Sequence, residues 1–362
     1  MLTYLSHLKG YFGPFRLFDS YLILIGLGLF ISGILTWILL PVLQKHLPRD
    51  MGREYAVDSE KSKSKPTGAG IIMFLVTCFT AFLVIQPDRK IYEILGCIIA
   101  ATLTGYLDDC AKEPWGEWKK GLCDLLIAIA TGCVLCQMET IDIWLPLVKN
   151  AITISPILFI CITTPILWLM INVTNCTDGV DGLVGTLSLI SLLALGGLLY
   201  IVVGHKDVAT YLLIPHNPEG ATWAALVFSA VGAVSGYLWY NAEPSSLLMG
   251  DAGSRALGLT VGISILVTGN PVMIIVVAPI IFLNGGGGLV KLLILRFCKR
   301  LNIPTEKDKA GKMMIMLHKV RFPLHDHYKT HNNWSNAQIL MRFTLLHALL
   351  LLLLISLMIK MR

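Results

Sequence analysis

Long apolar runs separated by short polar segments make up most of the chain. They cover residues 21–43, 69–86, 92–108, 121–138, 155–172, 181–203, 222–240, 254–268, 271–295 and 338–359. A helix crosses a bilayer in roughly 17–25 residues, so about ten such runs predict an all-α polytopic membrane protein. The run ending at Asp108 and the one starting at Ser254 are marginal in length. The longest polar stretches are 44–68 and 296–337. There is no internal repeat and no separate soluble domain, so residues 1–362 read as one integral-membrane domain. In the ninth run Asn284 is followed by Gly285, Gly286, Gly287 and Gly288, then Lys291. Each interior glycine costs a helix roughly 1 kcal/mol relative to alanine, which predicts a bend or break there. Close helix packing through small residues is the other reading.

Composition agrees with this pattern. Hydrophobic residues make up 55% of the 362 positions and charged residues only 14%, whereas globular domains carry about 25% charged residues. Most of the nine cysteines lie inside apolar runs, and none stands beside histidine at a zinc-like spacing. Neither a disulfide framework nor a zinc site is expected. The start of the chain lacks the pattern of a cleaved signal peptide, so the first run is expected to remain as a span.

The net charge of +6 is unevenly placed. Loops after odd-numbered runs hold Lys45, Arg49, Arg53, Lys61, Lys63 and Lys65, then Lys112, Lys119 and Lys120. The 296–337 loop adds Arg296, Lys299, Arg300, Lys307, Lys309, Lys312, Lys319, Arg321 and Lys329. Loops after even-numbered runs hold only Arg89, Lys90, Lys149 and Lys206. Positive-inside reasoning puts the odd loops in the cytoplasm and both termini outside. The charge serves orientation and anionic ligands, not nucleic acid.

The unusual polar clusters all fall in those odd loops. Around Asp251, in YNAEPSSLLMGDAGSRALG, Gly250 and Gly253 permit close backbone approach, and a helix start suits an anion. A carboxylate here is tolerated only in a bundle interior, a water-filled site or the interface. The stretch reads as a metal–phosphate site or as a polar turn with an aspartate cap. Lys65-Pro-Thr67-Gly-Ala-Gly70 could offer backbone N–H groups to a phosphate, or simply turn the chain into the second run. Asp108 and Asp109 close the third run, and on a continued helix Lys112 shares a face with Asp108. A metal ligand, a base and a cation are what phosphoryl transfer needs, although a solvated helix end would look the same. Asn172, Asn175, Asp178, Gly179 and Asp181 lie between the fifth and sixth runs, where the aspartates either cap the next helix or meet a nucleotide and its metal. Pro323-Leu-His325-Asp326-His327 offers acid–base groups or phosphate donors.

Together these motifs resemble the polyprenyl-phosphate hexose-phosphate transferase superfamily, and most of all its phospho-N-acetylmuramoyl-pentapeptide transferases. GYLDDCAK resembles the family's paired-aspartate motif. NVTNCTDGVDGL is similar to its N-x-x-N-x-x-D-G-x-D-G-L, and the stretch around Asp251 is the closest match. KPTGAG stands where the family has T-P-T-M-G-G. FPLHDHYK stands where this branch has P-x-H-H-H-F-E; with Asn333-Trp334 and Arg342-Phe343 it separates the branch from the N-acetylglucosamine phosphate transferases.

The resemblance covers essentially the whole chain and implies ten transmembrane helices with a cytoplasmic active site. The implied reaction moves phospho-MurNAc-pentapeptide from UDP-MurNAc-pentapeptide to undecaprenyl phosphate, giving lipid I and UMP. It implies magnesium on Asp251 with Asp178 in its surroundings, Asp108 as base or aligning group with Asp109 beside it, and Lys112 on pyrophosphate charge. Asn172, Asn175, Asp178, Gly179, Asp181 and Asn241 would hold the nucleotide, with Lys65, Thr67 and Leu248 at the substrate. His325 and His327 would assist at the phosphates or sugar. Direct attack by the lipid phosphate is preferred to a covalent intermediate, because a positioned magnesium and an already anionic nucleophile make the covalent step unnecessary.

This chain departs from the family at four places: Asp326 replaces the middle histidine, Asn284 a glutamate and Leu248 an aromatic, and Gly-Ala replaces Met-Gly before Gly70. The rival within the class is a relative acting on another UDP-HexNAc. Transport or scaffolding fits poorly, since the ionisable groups gather at one rim and not in mid-span. The expected setting is the inner membrane of a bacterium with peptidoglycan, and a bundle of this kind admits a homodimer.

Overall fold

A computed structural model of the protein describes residues 1–52, 63–301 and 320–360. Arg53, Lys61, Lys307, Lys309, Lys312 and Lys319, part of the charge asymmetry above, lie outside the described residues. The fold is all-α, and a helix lies over each of the ten apolar runs. In order they are α1 (Tyr21–Leu43), α2 (Gly70–Val84), α3 (Arg89–Asp109), α4 (Glu117–Cys136), α5 (Pro156–Thr177), α6 (Leu183–Gly197), α7 (Gly220–Asn241) and α8 (Gly250–Val267). An interrupted segment leads into α9 (Gly287–Arg300), and α10 (Leu324–Asn332) and α11 (Asn336–Lys360) follow. Among the described residues, 7 helical stretches are by themselves long and apolar enough to cross a membrane. The protein is a multi-pass membrane protein.

The remaining three runs are shorter or more polar. Helix α2 has 15 residues, α4 carries Lys119, Lys120 and Asp124, and α8 carries Asp251 and Arg255. The third run is longer than its apolar core suggested. Asp88 caps it, accepting from the Ile91 N–H at 3.0 Å, and the helix extends to 21 residues.

Helix α8 is the hub. Every residue from Gly250 to Leu266 is buried, as expected of a helix covered on all sides. It packs mainly on α3 and α5, with α2 and α6 alongside. Small residues allow this. A side chain at Gly105 of α3 would strike the Asp251 backbone, and one at Gly70 of α2 would strike Gly253. Helices α1 and α7 meet in the same way, with Gly232 against the Leu29 carbonyl and Gly236 against Gly33.

The glycine run does not break the ninth segment. Met273–Val277 ends at Ala278, which leaves helical geometry ahead of Pro279. Pro279–Ile281 then leads through a π-helical turn, Phe282–Gly286, directly into α9. The interruption sits at the proline because proline lacks the N–H that a continuous helix needs. The glycines serve packing: a side chain at Gly285 would meet the Val173 carbonyl, and one at Gly287 the Phe322 ring.

An element absent from the apolar pattern lies at the end of the bundle away from the aspartate motifs. Ile141–Ile143 pairs antiparallel with Ile152–Ile154 between α4 and α5. Trp144 docks this hairpin by donating from its N–H to the Gly269 carbonyl at 2.9 Å and from Nε1 to Thr268 at 2.8 Å.

Candidate active site

The polar motifs converge at one end of the bundle, where α3, α5 and α7 finish and α4, α6 and α8 begin. At its centre, Lys120 of α4 joins two buried carboxylates. Its Nζ lies 3.0 Å from Asp251 Oδ2 and pairs closely with Asp108 Oδ2. Asp108 is held from its other oxygen by the Trp115 N–H at 2.7 Å. Lys119, next in the chain, sits over the Trp115 ring at 3.3 Å. Lys112, expected to supply the cation, is exposed and forms no ion pair among the described residues. The turn after α3 carries it away from the face it would occupy on a continued helix.

One helical turn deeper the pairing is repeated with the charges exchanged. Asp124 and Arg255 stand four residues after Lys120 and Asp251, on the same two helices. Arg255 donates from Nε to Asp124 Oδ1 at 3.0 Å and pairs with the same oxygen through Nη2. Its Nη2 also reaches the Lys120 carbonyl at 3.4 Å. Helices α4 and α8 are thus joined by a two-rung ladder, and the inner rung holds the backbone of the lysine on the outer one. Asn172 belongs to this support: its Nδ2 donates to Trp168 O at 2.8 Å and to Asp124 Oδ2 at 3.4 Å. Lys120, Asp124 and Arg255 were not among the sequence candidates. The signal was present as K-x-x-x-D in one run and D-x-x-x-R in another, but nothing in the chain says that those runs touch.

Asp109 does something different from its neighbour. Its carboxylate accepts from the backbone N–H groups of Asp251 at 2.9 Å and Ala252 at 3.0 Å. It therefore caps the start of α8 from another helix, satisfying donors that a helix start leaves unpaired. Gly250 makes this approach possible. It has φ +68°, and a side chain there would collide with Asp109 Oδ2 and crowd the Gly68 nitrogen. The KPTGAG segment runs beside the 240–249 loop: Leu248 donates to Pro66 O at 2.8 Å, and Ala69 donates back to Leu248 O at 3.1 Å. Thr67 is buried, its N–H on Pro48 O. Leu248 is half-buried.

Asp181 lies toward Lys65, whose Nζ is 3.6 Å from Asp181 Oδ2 and donates to Ser245 Oγ at 2.9 Å. The Ser245 N–H also reaches Asp181 Oδ2, at 3.1 Å. Helix α6 begins after Gly182, its N-cap residue, which has φ +77° and no side chain to cap with. Asn241 is buried and spends its amide within the protein, accepting from Gly182 N at 2.8 Å and donating to Leu247 O at 2.9 Å. Asn175 donates to Ser254 Oγ at 3.2 Å.

The two histidines separate. They stand two apart on α10, which points them to different faces. His325 is buried against Gly179, where any side chain would overlap its Nε2, and its Nδ1 edge meets Asn284. His327 faces the other way. Its Nδ1 accepts from the Arg321 N–H at 3.3 Å, and its ring lies 4.3 Å from that of His331. Burial, and then the neighbouring His331, hold its pKa below the ordinary histidine value. Asp326 is buried beside His325, with Oδ1 3.7 Å from Nε2. Behind them Tyr328 stacks on Trp334 at 4.3 Å, and Arg342 lies 4.1 Å over the Trp334 ring.

Magnesium prefers oxygen donors and is usually bound by one or two carboxylates together with substrate phosphates. The pair Asp108 and Asp251, buried around one ammonium, fits that mode. Among the described residues no three acidic, cysteine or histidine groups form a ready-made metal cage.

The model of Glycosyl transferase family 4 matches residues 91–269. The chain is 42% identical over 365 residues to the phospho-N-acetylmuramoyl-pentapeptide-transferase of Treponema pallidum (strain Nichols), covering 100% of this chain and 97% of that protein. Proteins with the same name are similar from Opitutus terrae, at 26% identity with 96% of both chains covered. The one from Helicobacter pylori strain J99 is 26% identical, with 95% of this chain and 96% of its own covered. This end-to-end similarity takes in the helix ends that carry Asp108, Lys120, Asp178 and Asp251. The chain belongs to the phospho-N-acetylmuramoyl-pentapeptide transferase family.

Proposed function

We propose that the protein transfers phospho-MurNAc-pentapeptide from UDP-MurNAc-pentapeptide to undecaprenyl phosphate at the cytoplasmic face of a bacterial inner membrane. The products are lipid I and UMP. The observation that carries this is the buried Asp108–Lys120–Asp251 cluster at the rim of a membrane bundle. It offers oxygen ligands, a base and a cation within one turn of three helices.

In this reading an oxygen of the lipid phosphate attacks the phosphorus that bears the sugar. The bond from that phosphorus to the bridging oxygen breaks, and UMP leaves with the electron pair. Asp108 takes the proton when the lipid phosphate arrives protonated, and otherwise aligns the anion. Lys120 is already placed between two carboxylates and turns an N–H toward the pyrophosphate as charge builds on the leaving oxygen. Asp109 keeps the start of α8, and so Asp251, in position. Magnesium, held by Asp251 and Asp108 with the substrate phosphates, would add Lewis-acid neutralisation of the same charge. Asp178, Gly179 and Asp181 with Lys65 form the wall on the nucleotide side, and His325, packed against Gly179, lends its Nε2 to that same wall.

The test is UMP release by purified protein in detergent, with both substrates and magnesium, alongside Asp251→Asn. Release should require both substrates, stop on chelation, return with added magnesium, and fall on the order of 10²-fold or more in the variant. Release with UDP-GlcNAc in place of the muramoyl nucleotide would move the protein to the sister branch. No release with any UDP-sugar would refute the transferase reading.

A further inference from the structure

Asn284 and His325 meet in a buried polar contact. Asn284 lies in the π-helical turn Phe282–Gly286 and is wholly buried; π turns inside helices recur at functional sites. Its Oδ1 accepts from the backbone N–H of His325 at 2.9 Å. That bond orients the side-chain amide, because the backbone N–H requires an acceptor. The other half of the amide, Nδ2, is then 3.1 Å from His325 Nδ1, and the same Nδ1 lies 3.2 Å from Oδ1. Among the described residues this ring nitrogen is the only acceptor that Nδ2 has. A proton on Nδ1 could turn to Oδ1, which already accepts from the backbone N–H, but the buried Nδ2 would then lose its one acceptor, so the bare Nδ1 satisfies more of the amide.

A second contact agrees. Nε2 lies 3.7 Å from Asp326 Oδ1, and a carboxylate favours an N–H over a bare lone pair at that position. The same Nε2 edge abuts Gly179, in the turn between Asp178 and Asp181.

We infer that Asn284 is a positioning residue that holds His325 neutral, with its proton on Nε2, and aims that N–H at the Asp178–Asp181 turn. His325 is therefore a neutral hydrogen-bond donor to the substrate phosphates, and it does not act there as a base. What the donor acts upon rests on the transferase reading above; the tautomer does not.

Two measurements test this. In ¹⁵N-histidine-labelled wild-type protein, with His325 assigned by difference against His325→Gln, the spectrum should show a bare Nδ1 and a protonated Nε2. A protonated Nδ1, in either the neutral or the doubly protonated ring, would overturn the inference without requiring any variant to be active. In UMP-release kinetics, Gln carries its amide N–H near the position of Nε2, whereas Asn carries it near Nδ1. His325→Gln should therefore retain at least about tenfold more kcat than His325→Asn, roughly the worth of one hydrogen bond. Asn284→Ala should lower kcat by about tenfold with KM nearly unchanged. Equal activity of the two His325 variants, or a wild-type kcat in Asn284→Ala, would overturn it. A wild-type protein with no turnover would refute the transferase reading, while the spectrum would still decide the tautomer.

Discussion

Replacing Arg255 by Met isolates the inner rung of the ladder between α4 and α8. Arg255 is 1% exposed and Asp124 2% exposed, so the pair is dry. Arg255→Met leaves the Asp124 carboxylate buried with, among the described residues, only the long Asn172 contact at 3.4 Å. Removing one partner of a buried ion pair typically costs about 3–5 kcal/mol, because the other charge is left uncompensated. At roughly 2 °C per kcal/mol for a long chain, the unfolding midpoint should fall by about 6–10 °C. Arg255→Met combined with Asp124→Leu removes both charges, and apolar replacements of a buried pair are often neutral or better. The double variant should therefore recover most of the stability. It should not recover activity: Arg255 no longer anchors the Lys120 carbonyl, so kcat should stay about tenfold down, the scale of a misplaced catalytic group. The assay is thermal unfolding in detergent followed by thiol accessibility, since buried Cys136 lies on α4 itself, with UMP release measured on the same samples. A loss below about 1 kcal/mol in the single variant, or a double variant no more stable than the single one, would refute the argument that this pair is desolvated and coupled.

Two other substitutions separate geometry from sequence spacing. Lys120→Met should lower kcat by on the order of 10²-fold or more, whereas Lys112→Met should stay within about threefold of wild type, because Lys120 pairs with both carboxylates and Lys112 forms no ion pair among the described residues; equal losses in UMP release would contradict this assignment. Gly250→Ala forces a left-handed residue against Asp109 Oδ2, which should cost about 1–3 kcal/mol and loosen the start of α8. An unchanged unfolding midpoint would show that Asp109 does not cap α8 in solution.

The apolar pattern alone determined the fold class and the positions of the helices. In a membrane every backbone N–H and C=O must be satisfied within the segment, so a run of suitable length has little choice but helix. It also placed the aspartate motifs at helix ends, where charge is tolerated. It did not decide which residues meet. Asp108 and Asp109 are adjacent and chemically alike, yet one faces Lys120 while the other caps α8, because successive residues on a helix point in different directions. Lys112 was the nearer cation in sequence; Lys120 is the nearer in space, because the chain turns after Asp109 and α4 packs beside α5 and α8. The two-rung ladder joins residues 131 positions apart. The break in the ninth segment likewise fell at Ala278–Pro279, not at the glycines, whose missing side chains were needed by Val173 and Phe322. Local propensity sets a helix where the membrane demands one. The partner of a buried charge is set only when helices far apart in the chain close on each other, since a buried ion is stable only where its counter-charge arrives by packing.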